Sequence, residues 1–213
     1  MSIIINDKAY WLNFYNNAMK INTPSPFAQY LVENEMLIGS NLLVELGCGN
    51  GRDSVFFAKK DMQVIAIDQC ENTTEKLNQI ENIESFASDF TRLPSFSDRP
   101  QAVDVVYSRF TMHSVNLDGE DRTLDWIFNN LKSQGLFCVE ARTIKDDICG
   151  KGEDKGNNIW FYNSHHRRFI EADEFKEKLK KIGFEIIYFE EQNGFAKYKD
   201  SDPIVLRAIV KKP

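Results

Sequence analysis

Apolar positions along this chain recur in two rhythms that alternate with each other. Short, nearly unbroken apolar runs at 42–46, 63–67, 83–87, 103–107 and 136–141 have the length and content of buried strands. Between them, apolar residues fall three and four apart, the period of a helix with one buried face. The stretch after Arg52 is expected to be helical to about Lys60, with Val55, Phe56, Phe57 and Ala58 available for packing. Asn72-Thr-Thr-Glu75 reads as a capping box opening a helix that buries Leu77 and Ile80. Leu124, Ile127, Phe128 and Leu131 define a helix over 121–131. Phe175, Leu179 and Ile182 define another over 171–182, stopped by Gly183. Two further strands, 184–189 and 204–210, close the chain, with Asn193-Gly194 at a turn between them. Alternation of this kind predicts an α/β protein: a Rossmann-like, seven-stranded mixed sheet whose last strands run antiparallel, with helices on both faces.

Two segments stand outside the alternation. Residues 1–40 form an N-terminal helical cap in which Tyr10, Trp11, Phe14 and Tyr15 recur at helical spacing. Thr23-Pro-Ser-Pro26 breaks that helix and starts another through Phe27, Tyr30, Leu31 and Asn34, which Gly39 ends. The first helix either packs on the sheet edge or forms a lid whose Tyr15 reaches a ligand. The second segment is a long insertion, 143–170, carrying Trp160, Phe161, Tyr162 and His165-His166-Arg167-Arg168. Insertions of this length in compact domains are often functional lids.

Composition narrows the classes of function. The 213 residues suit one domain, and 42% hydrophobic with 27% charged residues is ordinary for a globule. A net charge of −6, with a pI near 5.2, argues against a nucleic-acid-binding face. No apolar run approaches the roughly 20 residues of a membrane helix. Residues 1–6 are too short and lack the basic start of a signal peptide. Cys48, Cys70, Cys138 and Cys149 have no metal-ligand spacing and read as the reduced thiols of a cytoplasmic protein.

The chemistry is concentrated in Leu-Leu-Val-Glu-Leu-Gly-Cys-Gly-Asn-Gly-Arg, residues 42–52. Gly47, Gly49 and Gly51 permit a tight turn and let backbone approach a ligand. A strand, a glycine turn and a helix start make a nucleotide-cofactor cradle. The spacing differs from the dinucleotide pattern G-x-G-x-x-G. Glu45, two residues before the first glycine, repels phosphate and suits a cation such as an ammonium or sulfonium. The bland reading is a plain turn between strand and helix.

The string Glu45 to Gly51 resembles motif I of the class I S-adenosylmethionine-dependent methyltransferases, E/D-x-G-x-G-x-G. The resemblance covers roughly 42–213 and is strongest up to Tyr107. It implies strand order 3-2-1-4-5-7-6 and S-adenosylmethionine as cofactor, contacted by Glu45, Gly47, Cys48, Gly49 and Gly51. Asp68, 17 residues past Gly51, implies a ribose ligand, with Gln69 beside the adenine. Asp89 and Phe90 correspond to an acid on the adenine amino group and a neighbour packed on the ring. Ser108 stands where many members carry Asp or Asn, beside the methionine part. Arg52-Asp53 looks like the Gly-Arg-Asp turn of tellurite-resistance and thiopurine-type enzymes. Arg52 either reaches the cofactor carboxylate or faces solvent.

For the acceptor, His113 is the candidate general base, placed five residues beyond Ser108 at the mouth of the sheet. A packing histidine is the alternative. Arg109, His165, His166, Arg167 and Arg168 are the candidate acceptor-binding residues, since clustered arginines in an acidic protein suit a phosphate or carboxylate. The competing reading is a solvated basic turn paired with Glu171, Asp173 and Glu174. The tetrapeptide that marks amino methylation, Asn-Pro-Pro-Tyr or Asp-Pro-Pro-Tyr, does not follow residue 107. No metal site is expected. The expectation is methyl transfer to oxygen on a small sugar, phosphate or acid. The pattern Tyr-Trp-x-x-Phe-Tyr, Pro-Ser-Pro-Phe-Ala and His-Arg-Arg-Phe also looks like bacterial methyltransferases of surface-glycan synthesis. A nucleotide-cofactor oxidoreductase and a non-catalytic subunit of methyltransferase fold are the alternatives.

Overall fold

The computed structural model describes residues 5, 7–17, 23–96, 98, 99 and 102–213. Most of the leader reading at 1–6 and the loop residue Pro100 lie outside the described residues. The central strand β1 (Leu42–Leu46) is buried at every position, as a strand covered on both faces must be. It pairs in parallel with β2 (Gln63–Asp68) on one side and β4 (Val103–Arg109) on the other. β3 (Ile83–Ala87) extends the sheet beyond β2, and β5 (Leu131–Arg142) beyond β4, also in parallel. β9 (Glu185–Gln192) and β10 (Val205–Lys211) add an antiparallel pair at the far edge. The order across the sheet is β3-β2-β1-β4-β5-β10-β9, the expected 3-2-1-4-5-7-6 once strands are counted within this sheet.

Two apolar clusters lie on the sheet. One joins α5 (Leu117–Asn130) and α6 (Ala172–Ile182) to the strands through Leu124, Ile127, Phe175 and Leu179. The other joins α2 (Pro26–Glu33) and α3 (Arg52–Ala58) through Phe27, Leu31 and Phe57. Ser25 caps α2 by accepting from the Ala28 N–H, and its own N–H and hydroxyl both donate to Asp53, each at 2.7 Å. Tyr107 donates to the same carboxylate at 2.9 Å. This buried network fixes α2 and α3 against the sheet.

Several boundaries move from their expected places. α4 (Glu71–Leu77) starts before the Asn72 box, because Asp68 accepts from the Cys70 N–H and already turns the chain. α5 starts four residues earlier than expected, where the Asn116 side chain accepts from the Gly119 N–H at 2.8 Å. The 143–170 insertion is a small antiparallel sheet of β6 (Glu153–Asp154), β7 (Ile159–Tyr162) and β8 (His165–Arg168). Asn163 and Ser164, with φ of 51° and 65°, make the two-residue turn between β7 and β8 that a hairpin's twist favours. Ahead of α2, α1 (Lys8–Asn17) confirms the helical spacing of the aromatic run. No helix among the described residues is long and apolar enough to cross a membrane.

Candidate functional site

β1 delivers the glycine turn to the C-terminal edge of the sheet. The Gly47 and Cys48 N–H groups both donate to the Ile67 carbonyl, at 2.7 and 3.0 Å, so the turn is stitched to β2. All three motif glycines have left-handed φ. A Cβ on Gly47 would lie 2.3 Å from Thr111 Cγ2, and one on Gly49 would lie 2.3 Å from the Tyr15 hydroxyl. The first contact fixes the floor of the site: Thr111 donates to the Leu46 carbonyl at 2.9 Å. The second brings α1 down onto the turn. Gly51 has a different task, since a Cβ there would meet Leu77.

Asp68 ends β2 beside this turn. Its Oδ2 accepts from the Gly49 N–H and its Oδ1 from the Cys70 N–H, each at 2.9 Å. Burial raises its pKa, against the pull of those donors. Each carboxylate oxygen retains acceptor capacity for a diol. A cavity of about 350 Å³ opens here, within the range of small-ligand sites. Gly47, Asp68, Gln69, Asp89 and Phe90 line it from the sheet, and Trp11 and Tyr15 from α1. Tyr15 is held in its neutral form by burial and by Asp68. α1 thus contributes two aromatic side chains, Trp11 and Tyr15, to the cavity wall. Asp89 caps its own turn, accepting from the Thr91 N–H and hydroxyl.

Other expected ligands sit differently. Glu45 does not line the cavity; it is buried beneath the turn and accepts from the Ser54 hydroxyl. Burial, then Asp53, pushes its pKa up to about 8. Cys48 is buried, with its thiol pKa raised. Arg52 pairs through Nε with Asp53 at 3.2 Å and is not part of the cavity wall. Ser108 is fully buried and its hydroxyl has no partner among the described residues.

The acceptor candidates divide. Arg168 is not a free clamp: it is buried, paired with Glu120, and donates to the carbonyls of Val115 and Met112. The local partners expected for it, Glu171, Asp173 and Glu174, are not the ones it takes. Arg109 binds Glu140 at 2.8 Å and lies over the Phe110 ring. His166 binds Asp7 through its backbone N–H and Nδ1, tying the insertion to the start of α1. His113 is buried beside Phe110, its Nδ1 unpartnered, and burial followed by Arg142 and Arg167 pulls its pKa well below the usual range. It is not in the cavity wall. His165 stacks on Tyr10 at 4.1 Å, and the Arg167 side chain has one hydrogen bond among the described residues, to the Tyr162 carbonyl at 3.2 Å; neither residue is in the cavity wall.

Sequence reasoning missed Asp7 and Thr111, both in the cavity wall. Asp7 and Thr111 carry no spacing signal. Phe110, which follows Ser108 and Arg109 in the segment the resemblance places beside the methionine part, is also in the cavity wall, and only its left-handed φ of 54° has no sequence signal.

The close approach of the Gly47 backbone, the open acceptor sites of Asp68 and the Asp89–Phe90 wall fit S-adenosylmethionine. A family profile described as a methyltransferase domain matches residues 27–188. A curated relative, the probable cobalt-precorrin-6B C(15)-methyltransferase (decarboxylating) of Methanococcus maripaludis, is 32% identical over 133 residues. That match spans 58% of this chain and 66% of the relative, just under two thirds of its length. The 1,6-didemethyltoxoflavin-N1-methyltransferase of Burkholderia thailandensis, solved with bound 1,6-didemethyltoxoflavin and S-adenosylhomocysteine, superposes with a TM-score of 0.72 at 16% identity, covering 96% of this chain and 86% of that one. The [4+2]-cyclase SpnF superposes at 0.69, also at 16% identity, covering 96% and 92%. These two likenesses establish the fold, which hosts more than one chemistry. The family match, running through the glycine turn and most of the sheet, removes the oxidoreductase alternative: the chain belongs to the class I S-adenosylmethionine-dependent methyltransferases.

Proposed function

We propose that the protein moves the methyl group of S-adenosylmethionine onto an oxygen of a small anionic acceptor, such as a sugar phosphate or a hydroxy acid. The cofactor supplies an electrophilic methyl on a sulfonium. Asp68 holds the ribose hydroxyls, Asp89 and Phe90 the adenine, and Trp11 and Tyr15 keep water out from above. The relatives named above methylate carbon in one case and nitrogen in the other, by their names. The acceptor is therefore read from this chain's own residues.

Arg167 carries that reading. Arg109 meets Glu140, Arg142 meets Asp146, Arg168 meets Glu120 and Arg207 meets Glu140. Arg167, partly buried in β8, hydrogen-bonds only a carbonyl among the described residues. Burial and Arg142 lower its pKa, so the cation is short of compensating charge. A phosphate or carboxylate offers the paired oxygens that a guanidinium matches. Acceptors of surface-glycan synthesis have this chemistry.

The test is a screen of sugars, sugar phosphates and hydroxy acids, read as S-adenosylhomocysteine release. Turnover is expected with an anionic hydroxyl compound. Arg167→Gln should raise the acceptor KM by about tenfold or more, the worth of one charge-assisted pair, with cofactor affinity unchanged. Equal turnover of a neutral analogue by the variant and the parent would reject the anion.

A further inference from the structure

Resting on the oxygen-acceptor reading above, we propose that His165 is the base that takes the acceptor's proton. His165 opens β8 and is 1% exposed. Its Nδ1 lies 3.0 Å from the Asn163 carbonyl. A carbonyl only accepts, so Nδ1 carries the hydrogen and Nε2 carries the lone pair. That Nε2 is buried and has no partner among the described residues. Buried polar atoms are paired as a rule, so an unpaired lone pair at a fixed angle implies something that comes to it. The carbonyl that sets the tautomer belongs to the two-residue hairpin turn, so its position is built into the backbone of the insertion.

The ring is held as firmly as the tautomer. Tyr10 stacks on it at 4.1 Å and Trp11 meets it edge-on at 5.2 Å. Trp11 is also part of the cavity wall. Neither His165 nor Arg167 is itself in the cavity wall, so Trp11, whose ring packs on His165, must move aside for an acceptor to meet Nε2. Arg167, two residues along β8, shares the strand face of His165. An acceptor whose anionic group meets Arg167 brings its hydroxyl to the same face.

The electrostatics support a base that works only with its substrate in place. Burial first, and Arg167 second, lower the His165 pKa to about 4, which keeps the ring neutral near pH 7. Asp7 and His166, clasped together next to it, act in opposite directions. An anion on Arg167 cancels the second cause and makes Nε2 more basic. His113, the base expected from sequence, lacks this setting: no carbonyl fixes its ring among the described residues, and its pKa is lowered further by four neighbouring cations and histidines.

The step balances. The acceptor O–H bond breaks, its proton passes to Nε2, and the oxygen keeps the electron pair with which it bonds the methyl carbon. The carbon–sulfur pair stays on sulfur, which leaves as a neutral thioether. The imidazolium then returns its proton to water as product departs.

Two measurements test the assignment. Nitrogen NMR of the full chain, labelled at histidine and loaded with S-adenosylhomocysteine, should show His165 neutral at pH 7 with hydrogen on Nδ1; His165→Gln identifies the signal. A ring with hydrogen on Nε2, or charged at pH 7, overturns the proposal without any acceptor in hand. With a hydroxyl acceptor from the screen, His165→Gln should lower kcat by a factor on the order of 10²–10⁴ and leave S-adenosylhomocysteine affinity unchanged. Added imidazoles should restore turnover to His165→Ala at rates that rise with their basicity, a dependence that a packing role would not produce. If hydroxyl acceptors turn over equally in parent and His165→Gln, the base assignment fails alone. If the parent methylates only amines or thiols, the oxygen reading fails and the base assignment falls with it.

Discussion

Glu45 lies at the base of the glycine turn with its carboxyl sealed from water and bonded to Ser54. The nearest negative neighbour, Asp53, adds to the effect of burial, and the carboxyl titrates near 8 rather than near 4.5. The unfolded chain ionises this group at the ordinary carboxylate pKa, while the folded chain keeps the proton until about pH 8. Stability from this group is therefore whole below the unfolded pKa and is lost progressively as pH rises to about 8. Glu45→Gln keeps the shape and removes the titration. Its melting temperature should draw ahead of the parent's as pH goes from 5 to 8, by roughly 2–4 °C for each kcal/mol recovered in a chain of this size. Parallel melting curves across that range would reject the buried acid. The glycine spacing and Asp68 were legible because they act over a few residues of backbone. Glu45 was legible as an acid but not as a buried one. Its surroundings come from Ser54 and Asp53 on the helix that packs over it, and no local spacing encodes that burial.

The insertion shows at the level of one element how four consecutive side chains take separate tasks. Residues of a strand alternate faces. His165 and Arg167 turn toward Tyr10 and Arg142, while Arg168 turns toward α5. From sequence the four read as one basic cluster, because the hairpin that splits them depends on two left-handed residues, Asn163 and Ser164, with no glycine to announce it. The Glu120 partner of Arg168 is 48 residues away. This separation fixes a difference in outcome. Arg168→Ala leaves a buried Glu120 carboxylate with Lys178 alone, and should destabilise the fold by about 3–5 kcal/mol, as breaking a buried pair does. Urea unfolding measures this directly. An Arg168→Ala protein of parental stability that binds acceptor poorly would return Arg168 to the binding residues.

Across the whole molecule, the sheet and its two sets of helices were legible because buried parallel strands write themselves as apolar runs and the order follows from the family resemblance. The covering of the site was not, since it depends on contacts between the first residues and the insertion. Among its described contacts, α1 is held by Asp7 on His166, Tyr10 and Trp11 on His165, Lys8 on Glu71, and Tyr15 against the Gly49 turn. None of these reaches either apolar cluster of the sheet. α2, by contrast, is anchored through Ser25 and Phe27 to Asp53 and Tyr107. Removing residues 1–22 therefore takes away the roof that Trp11 and Tyr15 supply, and none of the described residues of that segment belongs to either sheet cluster. We expect S-adenosylhomocysteine affinity to fall by about tenfold or more in calorimetry, as the contacts of Trp11 and Tyr15 are lost. The melting temperature of the unliganded protein should shift by only a few degrees, on the scale of about 1 kcal/mol. The same truncation should expose His165, so its ring should titrate closer to the unperturbed value of about 6.5 once burial is relieved. A truncated chain that binds cofactor as tightly as the parent would show that α1 merely rests on the site, and one that fails to fold would make it part of the core.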